Sequence, residues 1–138
     1  MRALVCGLVL ASLAGCAGIF GGEGAFVERW QGAYAGDLSV ENADGAVQTR
    51  GLLEIRPEEG HLRVRCAGVG EVVAEAGFLV AFYRLRAENS LSGTYQGPDG
   101  RVEYDLQREG KSVDGEIVVY GEGAQKPSVR LVLKGFKP

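Results

Sequence analysis

Val102-Glu103-Tyr104-Asp105-Leu106-Gln107 alternates apolar and polar side chains over the whole stretch. A strand sends successive side chains to opposite faces. The stretch therefore sets Val102, Tyr104 and Leu106 against Glu103, Asp105 and Gln107, whereas a helix would scatter both sets around its axis. Gly97-Pro98-Asp99-Gly100 precedes it and Glu109-Gly110-Lys111 follows, and both are turn signals.

The same pattern continues in both directions. Tyr34, Leu38 and Val40 share a face ahead of the turn signal Asn42-Ala43-Asp44-Gly45. Leu53 and Ile55 precede Pro57-Glu58-Glu59-Gly60, and Leu62, Val64 and Cys66 alternate with His61, Arg63 and Arg65. Leu91 and Tyr95 pair up, then Val113, Ile117 and Val119, then Val129, Leu131 and Leu133. Short strands recurring about every ten residues, separated by Gly-rich turns, specify an all-β fold. Short connections make consecutive strands neighbours. The expectation is an antiparallel up-and-down meander of about eight or nine strands, closed as a small barrel or stacked as a sandwich.

One stretch fits two periods. Between Glu71 and Ala87, the residues Val72, Val73, Ala76, Leu79, Val80 and Tyr83 lie at helical spacing. Gly77 and the apolar run beginning at Phe78 favour two strands around Gly77 instead. A shorter echo links Gly32-Ala33-Tyr34-Ala35-Gly36 to Gly93-Thr94-Tyr95-Gln96-Gly97, each opening a strand that glycine would allow to bend sharply.

The 138 residues suffice for one domain, and a net charge of −3 with 22 glycines is unlike the basic composition of a general nucleic-acid binder. No nucleic-acid partner is expected.

The first residues differ from the rest. Arg2 is followed by an almost wholly apolar or small run from Ala3 to Ala14, too short to span a bilayer and of the form of a signal peptide. It ends in Leu13-Ala14-Gly15-Cys16, which resembles the lipobox of bacterial lipoproteins at all four positions. The resemblance implies cleavage before Cys16 and lipid on its sulfur. It divides the chain into a signal peptide (1–15), a lipidated cysteine with a flexible tether (16–31) and one barrel-like domain (32–138). It also implies a lipid-anchored, palmitate-bearing protein of the bacterial cell envelope that meets the membrane through Cys16. Ala17 stands where an Asp resembles an inner-membrane retention signal, which favours the outer membrane in a Gram-negative cell. Of three cysteines, Cys6 would leave with the signal and Cys16 would carry lipid. Cys66 then stays alone on an apolar strand face, a buried hydrophobe with no disulfide partner. The expected domain also has a loose likeness to lipocalin-like and avidin-like small barrels. Lipocalins carry Gly-x-Trp at the first strand, and Trp30-Gln31-Gly32 reverses it, so only the architecture is carried over.

Catalytic patterns are sparse. His61 is the single histidine and lies on the polar side of a strand start, where a surface role is expected. No spacing of carboxylates singles out an acid–base pair, and too few His and Cys residues exist for a metal site. We expect no enzyme, cofactor or metal, and rank an envelope hydrolase last. Two binding surfaces are candidates. Tyr34, Tyr83, Tyr95 and Tyr104 would line the interior and could hold an apolar or amphiphilic ligand. Val118, Tyr120, Arg130, Val132, Lys134 and Phe136 would form an outer apolar patch with a charged rim, suited to an envelope protein partner. The outer-face reading, a non-enzymatic accessory or binding module, is the leading one. A basic face of Arg63, Arg65, Arg84 and Arg86 is expected to be neutralised by Glu54, Glu71 or Glu75.

Overall fold

The computed structural model describes residues 26–70, 74–81 and 89–138. Residues 26–30 form one short helical turn, and Trp30 at its end is fully buried. The rest is all-β. Eight strands follow in order: β1 (Gly32–Asn42), β2 (Gly45–Glu58), β3 (His61–Val69), β4 (Glu75–Ala81), β5 (Ser90–Gly97), β6 (Gly100–Glu109), β7 (Ser112–Gly121) and β8 (Val129–Lys137).

They make one antiparallel sheet in the order β4-β3-β2-β1-β8-β7-β6-β5, curled into a nearly closed barrel. Every consecutive pair except β4–β5 is hydrogen-bonded, as the short turns require, and β8 inserts between β1 and β7. Two-residue turns join β1 to β2 (Ala43-Asp44), β2 to β3 (Glu59-Gly60), β5 to β6 (Pro98-Asp99) and β6 to β7 (Gly110-Lys111). In the first, the Asp44 N–H donates to Asn42 Oδ1 at 2.8 Å, the local bond that makes Asn a turn residue. Gly60 and Gly110 supply positive φ in their turns, at 75° and 62°. β4 and β5 are the sheet edges. Across that seam the ring of Phe78 on β4 stacks on Tyr104 of β6, with centroids 4.2 Å apart and planes 16° apart.

The inner face carries Tyr34, Leu38 and Val40 from β1, Leu53 and Ile55 from β2, and Leu62, Val64 and Cys66 from β3. Opposite them come Val102, Tyr104 and Leu106 from β6 and Leu131 and Leu133 from β8. The outer face carries most of the charges. That polarity is the reverse of a membrane-spanning barrel, whose lipid-facing side is apolar. Among the described residues no helix is long and apolar enough to cross a membrane.

The structure corrects the alternation in two places. Gly77 does not separate two strands. β4 runs through it, with Gly77 on the outer side opposite Arg65 while Ala76, Phe78 and Val80 face inward. The second correction concerns Phe136, expected outside with the partner surface. It is fully buried. A bulge in β8 shifts the register, because Leu133 pairs with Gly115 but Phe136 pairs with Val113. Gly135 takes the left-handed conformation (φ 64°) and donates its N–H to Asp114 Oδ1 at 2.7 Å, which fixes the extra residue and turns Phe136 inward.

Phe136 lands on a floor of glycine. Gly36 faces Gly51 across β1–β2, and Gly51 faces Gly68 across β2–β3. A Cβ at Gly36 would lie 2.5 Å from Phe136 Cδ1, and one at Gly51 would lie 2.8 Å from both Phe136 Cζ and Leu38 Cβ. The glycine echo thus has a packing meaning. Gly36 admits the Phe136 ring, and Gly93 admits Tyr104, whose hydroxyl would sit 2.9 Å from a Cβ there.

Candidate functional site

The expected outer patch breaks up once the register is known. Val118 does point outward, between Glu103 on β6 and Arg130 on β8, yet it is only 5% exposed. Tyr120 lies under the Arg101 guanidinium, 3.8 Å from the ring centroid, and its hydroxyl donates to Glu103 Oε1 at 3.0 Å. Arg101 Nε completes this cluster with Glu103 Oε2 at 3.4 Å. The tyrosine is therefore held in a polar network and not presented as an apolar anchor. Of the expected partner surface, Arg130 and Val132 are half-buried and Lys134 is exposed on the outer face of β8. Phe136 is inside.

What the outer face does carry is a pair of troughs flanking β8. One, of about 680 Å³, is lined from β1 and β2 by Asp37, Ser39, Glu41, Gln48, Thr49 and Arg50. The other, of about 450 Å³, is lined from β6 and β7 by Asp105, Gln107, Asp114, Gly115 and Glu116. Val132 and Lys134 line both and form the ridge between them. In the first trough Arg50 Nη1 binds Asp37 Oδ1 at 2.9 Å and Gln48 Nε2 donates to Ser39 Oγ at 3.0 Å. In the second, Asp105 and Glu116 stand directly opposite each other across β6–β7. Like charges in that position oppose folding. Gln107 Nε2 donates to Asp105 Oδ1 at 2.7 Å, and Arg130 Nε stays 4.0 Å from Glu116. Together the troughs hold the carboxylates of Asp37, Glu41, Asp105, Asp114 and Glu116 against two cations, Arg50 and Lys134. The sequence offered a signal for this acidic pair. The two-residue turn Gly110-Lys111 sets Arg108 opposite Val113, and counting back brings Asp105 to Glu116.

The barrel's other outer surface is neutralised internally. Arg63 Nε binds Glu58 Oε2 at 2.7 Å, and Arg65 bridges Glu54 and Glu75. The hydrogen bond to Glu75 is the main reason the Arg65 guanidinium is held above, and the Glu75 carboxyl below, its ordinary range. Arg84, Arg86 and Glu71 lie outside the described residues.

Inside, Tyr34 and Tyr104 are 2% and 6% exposed, and Tyr95 is half-buried on the same face. Tyr83 lies outside the described residues. Phe78 stacks on Tyr104 in this interior, and Phe136 is fully buried. Burial pushes the Tyr34 phenol above its usual range, and the charge of Arg108 opposes that rise. Arg108 itself was not singled out from the sequence, although it continues the inward series Tyr104, Leu106, Arg108.

His61 is fixed by its turn. Its Nδ1 lies 2.9 Å from the Glu59 carbonyl oxygen, which can only accept, so Nδ1 carries the proton. Among the described residues no group of His, Cys, Asp and Glu could hold a metal ion. Cys66 is fully buried, and burial pushes its thiol up to about 12. Two outcomes are expected. Iodoacetamide should leave Cys66 unmodified in the folded protein and modify it in denaturant, read by mass. Between pH 9, where the unfolded thiol titrates, and about 12, the folded state keeps a proton that the unfolded state loses. The thiol's stabilising contribution is then whole below pH 9 and falls as pH rises, by about 1.4 kcal/mol per unit. Denaturant melts of the wild type and Cys66→Ala should diverge in that sense.

No family model, curated protein or solved structure matches this chain. The likeness to other small barrels is one of architecture.

Proposed function

We propose that this is a lipid-anchored protein of the bacterial cell envelope whose barrel docks a protein partner through the outer face of β8 and its flanking strands. The leading residues and the lipobox at Cys16 support the anchor; Cys16 lies outside the described residues. Stable attachment needs more than one acyl chain, and the lipoprotein pattern implies diacylglyceryl on the sulfur with a further acyl chain on the new amino group. In a Gram-negative cell Ala17 favours the outer membrane.

One observation carries the docking reading. The troughs on either side of Val132 and Lys134 are shallow, solvent-facing, and richer in carboxylates than in cations. Their charge complements a partner that presents basic side chains, and such complementarity steers encounter and fixes register more than it adds affinity. The module is non-enzymatic in this reading.

The test is a photo-crosslinking residue at Val132 in the full-length, membrane-borne protein. A specific crosslinked partner is expected, lost in Asp105→Lys with Glu116→Lys and retained in Glu54→Gln, which lies on β2 outside both troughs. The charge-reversed variant should fold, since both carboxylates are on the outer face. Crosslinking that survives the reversal, or that moves equally to position 54, rejects this face as the docking surface.

A further inference from the structure

Among the described residues one buried side-chain nitrogen lacks a hydrogen-bond partner: Nη1 of Arg108. Buried polar groups in folded proteins are nearly always bonded, so an exception calls for a physical account. Arg108 ends the inward series of β6 and stands opposite Val113 of β7. Val113 in turn pairs with Phe136 of β8. These residues and the start of β1, with Tyr34, lie at one mouth of the barrel, where β6 turns into β7. At that turn Arg108 Nε donates to the Gly110 carbonyl oxygen at 2.8 Å. One edge of the guanidinium is thus tied to the rim, and Nη1 is directed into the protein without an acceptor.

Among the described residues the nearby carboxylates do not supply one. Asp114 is on the outer face and accepts from Gly135 N–H. Glu58 is bound to Arg63, and Glu109 is exposed on the outer side of β6. Lys111, in the turn itself, is exposed at the rim, as is Glu109. The mouth therefore has a half-buried guanidinium with an unmatched donor beside the buried phenol of Tyr34.

We propose that this mouth is a binding site for a carboxylate group, held by Arg108. A carboxylate matches the planar donor array of a guanidinium and carries a single charge. A phosphate dianion would bring a second charge next to Val113, Leu106 and Phe136, where desolvation is costly. The carboxylate can come from a small free acid or from the head of an acyl chain, and the chemistry at Arg108 is the same. The site is separate from the troughs on β8.

The test is titration of the full-length protein, in a neutral detergent, with acetate, octanoate and octanol, read by calorimetry and by the ¹⁵N shifts of the arginine side chains. A carboxylate should bind and move the Arg108 Nε signal. Arg108→Gln and Arg108→Met should weaken binding at least tenfold. Arg108→Met should melt no lower than the wild type, because it removes an unmatched donor while keeping the side-chain length. Binding of both acids identifies the carboxylate as sufficient, and binding of octanoate alone identifies an acyl acid as the source. Binding of octanol as tight as octanoate, retention of binding in Arg108→Met, or no binding of either acid overturns the proposal.

Discussion

Phe136→Ala is expected to lower folding stability by about 3–5 kcal/mol, the range for removing a large aromatic ring from a packed core. The reason is local. The ring is fully buried and lies against the backbones of Gly36 and Gly51, which have no side chains to fill the space it leaves. The converse change should also be costly. Gly51→Ala pushes a Cβ to within 2.8 Å of Phe136 Cζ and Leu38 Cβ, and overpacking of this kind costs roughly 1–3 kcal/mol. The two changes should not add. With Phe136 already truncated, one of the two clashes at Gly51 is gone, so the double variant should be more stable than the sum predicts by about 1 kcal/mol. Urea melts of the wild type, both single variants and the double variant measure this directly. Additive losses would mean that ring and glycine floor do not form one packing unit.

Cys16→Ser should move the protein from the membrane fraction to the soluble fraction. Burial of acyl chains contributes about 0.8 kcal/mol per methylene, and among the described residues the outer face of the barrel offers no apolar band to replace it. The barrel should be unaffected, with the same melting temperature once released, because Cys16 belongs to the tether in this reading. The measurements are fractionation and the mass of the mature chain. A serine variant that still pellets with membranes, or a wild-type mass without lipid, would remove the anchor from the proposed function.

Much of the barrel was legible because period-2 alternation is a direct consequence of strand geometry. Val102, Tyr104 and Leu106 are buried as their spacing requires, and so are Leu62, Val64 and Cys66. The turns were legible because Gly60 and Gly110 take conformations that other residues rarely adopt. The alternation misplaced Phe136 because a bulge adds one residue to one strand, and nothing in the spacing of Leu131, Leu133 and Phe136 announces it. The signal was Gly135 itself, a glycine interrupting a strand pattern. Gly77 gives the opposite lesson, since the same residue type inside an apolar run is simply extended. A glycine marks a place where the backbone is free and does not say what it will do there.

The outer patch failed as a sequence reading for a different reason. Whether Val118 and Tyr120 are available depends on their cross-strand neighbours, and these are set by register. Arg101 and Glu103 come from a strand whose own sequence says nothing about Tyr120. The acidic pairing of Asp105 with Glu116 was within reach, since the turn between their strands fixes the count. The unmatched nitrogen of Arg108 was not, because hydrogen-bond satisfaction belongs to the assembled mouth.

The place of β8 bears on how the chain comes to be folded. β1 to β4 form one run of adjacent hairpins and β5 to β7 another, and among the described residues strand pairing links the two through β8, which pairs with β1 on one side and β7 on the other. Ala35 of β1 and its partner Lys137 of β8 stand near opposite ends of the described sheet sequence. A chain emerging from its N-terminal side can form both runs early, yet it cannot join them until its last strand arrives. Until then the edges of β1 and β7 stay unpaired, so closure is governed by contacts distant in sequence and should be the slow event.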